Sequence, residues 1–92
     1  MELQEIREQL DQVDQEIVEL FEKRMELCIE VGKNKRETGK KIYDQERERK
    51  KLDTLSQMVS NDFNKAAVKE LFEHIMEISR KLQKETFPEL EE

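Results

Sequence analysis

Leu3, Ile6, Leu10, Val13, Ile17, Leu20, Leu27 and Val31 recur in alternating steps of three and four residues, with Arg24 at the position that completes the series. That spacing lays side chains along one stripe of an α-helix. A helix running from about Glu2 to Glu37 would be roughly 54 Å long at 1.5 Å per residue. A compact chain of this size has a radius of gyration of only about 12 Å. Most of the seam would therefore lie bare unless another protomer covered it, and the pattern predicts a homodimer joined through its first helix.

Two shorter helices follow. Thr38-Gly39-Lys40-Lys41 interrupts the periodicity, with Gly39 placed to end the first helix in a left-handed turn. Asp44 is the expected N-cap of a second helix, about residues 44–60, with Leu52, Leu55 and Val59 as its apolar stripe. Ser60-Asn61-Asp62 reads as a turn. Asn64 is the expected cap of a third helix, about 64–85, with Phe63 stapled onto Val68. Its stripe is Val68, Leu71, Phe72, Ile75, Ile78 and Leu82, and Thr86-Phe87-Pro88 ends it. The fold class is all-α: a three-helix protomer with one very long N-terminal helix, in an intertwined homodimeric helical bundle. Residues 1–92 read as a single domain without internal repeats.

With 43% charged and 35% hydrophobic residues, disorder would be an option if the apolar residues were scattered and Gly and Pro were frequent. Neither holds. No window approaches the roughly 18 consecutive apolar residues of a membrane span, and Met1-Glu2-Leu3-Gln4 does not open like a secretory signal. The one cysteine, Cys28, has no internal partner and is expected to be a buried, inert thiol, so a cytoplasmic protein is expected. His74, the one histidine, has no second ligand at metal spacing, and nothing suggests a cofactor.

Charge is unevenly placed. The net is −6, yet Lys33 to Lys51 holds nine Lys/Arg against four Asp/Glu. An excess of that kind fits either a solvated face or an anion met near mid-chain. Nucleic acid is a poor fit, because Tyr43 is the only aromatic residue in the stretch and no nucleic-acid-binding motif is present.

Candidate functional residues are the polar side chains that interrupt or extend the apolar stripes. Arg24 sits on the seam, and Lys35, eleven residues on, points within about 20° of it. A cation buried there needs an anion nearby, either a protein carboxylate or a ligand. Arg7 flanks the same seam about 25 Å from Arg24, so a small ligand reaching both would need Arg7 of an antiparallel partner. Glu48 extends the stripe of the second helix, beside Arg47 and with Asp44 at the helix start. Ser79 and Gln83, at i and i+4, share an edge of the third. Taken singly, each also reads as an ordinary surface or packing residue. No Gly-rich phosphate loop and no nucleophile–base set is present, so any chemistry must rest on binding and electrostatics.

These positions resemble a known family. Ile6-Arg7 with Asp11 and Asp14, Glu22-Lys23-Arg24, Glu30 to Lys35, Tyr43 to Glu48 and Ile75 to Gln83 are similar in order and spacing to the all-helical (AroQ-class, type II) chorismate mutases, over about residues 3–85. The resemblance implies a homodimer of three-helix protomers that rearranges chorismate to prephenate without a cofactor. It also implies roles. Arg7 would come from the neighbouring protomer, Arg24 and Lys35 would hold the substrate's carboxylates, and Lys35 and Gln83 would donate to the ether oxygen of the breaking bond. Glu48 and the backbone at Asp44 would accept the ring hydroxyl, with Ser79 near a carboxylate and Arg47 partly as support. The resemblance is loosest over the loop Thr38–Ile42, whose contribution stays open.

A Claisen rearrangement suits such residues, since it needs no acid, base or nucleophile. Paired cations can clamp a dicarboxylate in its reactive conformer, and fixed donors can meet charge developing on the ether oxygen. Two other readings stay open, an isochorismate-pyruvate lyase on the same fold and a non-catalytic helical dimerisation module. So do fusion to a longer polypeptide, feedback by aromatic amino acids and association with another shikimate-pathway enzyme.

Overall fold

The computed structural model describes residues 1–92. Three helices account for its regular structure: α1 (Leu3–Thr38), α2 (Gln45–Ser56) and α3 (Asp62–Thr86). α1 runs unbroken for 36 residues, because its interior contains neither proline nor a helix-breaking pair, and it stops at Gly39 (φ 71°), whose N–H returns to the Lys35 carbonyl. Asp44 caps α2 by accepting the Arg47 N–H at 3.1 Å.

Two boundaries differ from expectation. α2 ends at Ser56 rather than Ser60. The Ser56 hydroxyl donates to the Asp53 carbonyl three residues back at 2.9 Å, a local bond that competes with continuation of the helix. α3 begins at Asp62, not after Asn64, because the Asn61 side chain accepts the Asn64 N–H at 2.7 Å. Asn61 is thus the cap. Phe63 falls inside the first turn and is 81% exposed, so the expected staple onto Val68 does not form.

α3 packs against both other helices, while the backbones of α1 and α2 do not approach one another. The arrangement leaves a gap between α1 and α2 with α3 as its floor. The molecule is a rod, 54 × 25 × 14 Å with a radius of gyration of 16.3 Å, well above the roughly 12 Å of a compact chain this size. Eight of its 92 residues are buried, and every residue from Met1 to Leu20 is exposed. Leu3, Leu10, Val13, Ile17, Leu20 and Leu27 each expose half or more of their surface along the seam. A side chain of that kind contributes about 1.5–3 kcal/mol when fully covered.

The one apolar cluster lies at the other end. Ile42, Phe87 and Leu90 form it, with Ile29 packed alongside. The segment after α3 folds back onto the loop after α1, where the Ile42 and Tyr43 N–H groups donate to the Glu91 and Glu92 carbonyls at 2.9 and 3.0 Å. Phe87 lies so close to Gly32 that a Cβ there would come within 2.6 Å of the ring. Gly32 therefore lets the tail seat against α1.

Candidate active site

The gap between α1 and α2 is a cavity of about 140 Å³. α1 contributes Arg24, Cys28, Val31 and Lys35, one helical turn apart in succession. The cap and first turns of α2 contribute Asp44, Arg47, Glu48 and Lys51, and α3 contributes Met76, Ser79, Arg80 and Gln83. Seven of the eight residues singled out in the sequence thus line one cavity. Arg7 does not: it lies on the exposed N-terminal half of α1.

Each helix turns a polar group inward for a local reason. Ser79 and Gln83 are buried on α3, where the Ser79 hydroxyl donates to the Ile75 carbonyl at 2.7 Å and accepts from Arg24 Nη1 at 2.5 Å. Gln83 Nε2 donates to the Cys28 carbonyl at 2.8 Å, which spends one of its two N–H groups and fixes the amide plane across the cavity. The expectation that Cys28 would be buried is not met. It is half-buried, lines the cavity, and has its Sγ 3.5 Å from Arg24 Nη1. His74 is exposed.

Lys35 and Arg24 are half-buried, yet neither forms an ion pair with a carboxylate; the chain's ion pairs involve Lys33, Arg36, Lys50, Lys69 and Arg80 instead. Lys35 Nζ donates to the Ile42 carbonyl, leaving two N–H groups free. Burial pushes its pKa below the ordinary lysine value; Asp44 and Glu48 partly offset this, and Arg47 adds to it. With Arg24, Lys35, Arg47, Lys51 and Arg80 against Asp44 and Glu48, the lining carries more positive than negative charge. Burying unpaired cations is costly, so the cavity is electrostatically incomplete and suited to a small anion with more than one negative group.

Two charged lining residues, Lys51 and Arg80, were not foreseen. Arg80 pairs with Glu48, and its guanidinium stacks 4.3 Å from the centroid of the Tyr43 ring. The signal was present: Arg80 follows Met76 by four and precedes Gln83 by three, which places all three on the face of α3 turned to the cavity.

Compared with known proteins, residues 6–84 match the family described as chorismate mutase type II. The chain belongs to the type II chorismate mutase family. Part of it is also similar to the T-protein of Haemophilus influenzae, 46% identical over 46 residues, which is 50% of this chain and 12% of that protein. The chain therefore corresponds to a small fraction of that relative's length.

Proposed function

We propose that the chain converts chorismate to prephenate as a homodimer, each site completed by Arg7 of the partner subunit. The observation that carries this reading is the pair Arg24 and Lys35, two inward cations at one cavity, neither in an ion pair with a protein carboxylate, on a chain of this family. Chorismate carries two carboxylates and can supply both missing charges. Held at its ends, it is restricted to conformers in which the new carbon–carbon bond can form. Lys35 and the free N–H of Gln83 then meet negative charge growing on the ether oxygen as the old bond breaks. Glu48 accepts the ring hydroxyl. The bare α1 seam supports the dimer: an antiparallel partner would cover it and bring a second Arg7 toward each cavity.

An isochorismate-pyruvate lyase would use a similar cavity. Glu48 supports the mutase, because a carboxylate on the cavity wall can accept the ring hydroxyl of chorismate. Incubating the purified protein separately with chorismate and isochorismate and identifying the products decides between them. Prephenate from chorismate supports the proposal; pyruvate and salicylate from isochorismate, with no prephenate, overturns it.

The pH profile follows from the same groups. Lys35 holds a carboxylate only while protonated, so its contribution is present below its pKa and lost as pH rises through it. Since burial lowers that pKa, kcat/KM should fall on the alkaline side at a pH below the roughly 10.4 of an ordinary lysine. Gln83 does not titrate, so no step should occur across neutrality. A loss of activity centred near pH 7 would contradict these roles.

A further inference from the structure

We propose that Arg80, braced on Tyr43, is a positioning residue that holds the Glu48 carboxylate in place to receive the substrate's ring hydroxyl. The inference rests on the mutase reading and concerns a contact which that reading does not use.

Three observations carry it. Arg80 Nη1 bonds Glu48 Oε1, joining the floor of the cavity to the wall formed by α2, with side chains only 28% and 22% exposed. The flat guanidinium lies 4.3 Å from the Tyr43 ring centroid, a geometry that attracts the cation and restricts its rotation. Tyr43 is itself held, its N–H donating to the Glu92 carbonyl at 3.0 Å.

Glu48 has several torsions and would otherwise sample many positions, while Lys35 and Arg47 lie on the same cavity as competing cations. By engaging Oε1, Arg80 opposes collapse of the carboxylate onto Lys35 and leaves Oε2 as an acceptor. It does this from one side, through the single Nη1–Oε1 contact. Lys35 in turn stays available for the substrate. The device thus separates two opposite charges that would otherwise neutralise each other.

The test is a double-mutant cycle read by steady-state kinetics with chorismate. Arg80→Gln alone should lower kcat/KM by about tenfold, as for loss of one well-placed hydrogen-bonded contact. In a Glu48→Gln background the same change should cost less than about twofold, because there is no carboxylate left to position. Arg80→Lys should recover part of the loss, and Tyr43→Leu should reproduce part of it. Equal costs of Arg80→Gln in both backgrounds would mean that Arg80 acts on the substrate directly or through the fold, and would overturn the proposal.

Thermal midpoints measured on each variant separate destabilisation from mispositioning. If the unsubstituted protein converts no chorismate, the mutase reading fails first. The positioning claim is then decided by the crystal structure of Arg80→Gln: a displaced Glu48 carboxylate supports it, and an unmoved one overturns it.

Discussion

Lys35→Ala should lower kcat on chorismate by on the order of 10²-fold or more, the loss expected when a preorganised donor to a developing oxyanion is removed. The substitution removes an ammonium that has two N–H groups free and no carboxylate of its own, so little in the resting protein compensates for it. Gln83→Ala should fall in the same range, because Gln83 is the other donor proposed for the ether oxygen and its position is fixed by the bond to the Cys28 carbonyl. The two losses should differ in kind. Lys35 is also proposed to hold a carboxylate, so its removal should raise KM as well as lower kcat, whereas Gln83→Ala should act mainly on kcat. Steady-state kinetics on both variants, with helicity checked by circular dichroism, provides the readout. Near-normal turnover in either variant would remove that residue from the site.

The second large effect concerns subunit sharing. Arg7→Ala and Gln83→Ala proteins should each be nearly inactive alone, yet a mixture unfolded and refolded together should regain about a quarter of the unsubstituted activity. Random pairing makes half of the dimers mixed, and in a two-fold symmetric dimer each mixed pair holds one intact site and one doubly defective site. If both residues served the same subunit's site, every site in the mixture would lack one of them and no activity would return. Measuring chorismate disappearance before and after co-refolding separates these outcomes, and Arg7→Ala with full activity would remove Arg7 from the site.

The long first helix was legible because its seam keeps one period without a break, and a single period over that length permits little else. The cavity was legible for a related reason. Arg24, Lys35, Ser79 and Gln83 occupy stripe positions where an apolar residue would serve packing better, so their chemistry stands out against the pattern. What escaped was local competition. Whether Asn61 or Asn64 caps α3, and whether Ser56 continues or ends α2, depends on single side-chain bonds that several nearby residues could make. The pairing of Arg80 with Glu48 escaped because the two are 32 residues apart, and charged residues on a charged chain give no hint of which pairs form. The loop after α1 was silent as well: Ile42 matters through its backbone carbonyl and its burial against Phe87 and Leu90, neither of which leaves a periodic trace.

The distribution of packing along the rod gives its two ends different lives. Around Gly32, Phe87 and Ile42 the chain supplies its own neighbours, so the groups gathered there stand ready before any encounter. From Met1 to Leu20 nothing within the same chain shields the helix, and in proteins most helical stability comes from tertiary packing of an apolar face. Amide exchange in a lone subunit would accordingly be fast over this half and slow beside the cavity. Pairing would then deliver order and the last guanidinium in one event, making catalytic competence a function of how many subunits share the solution.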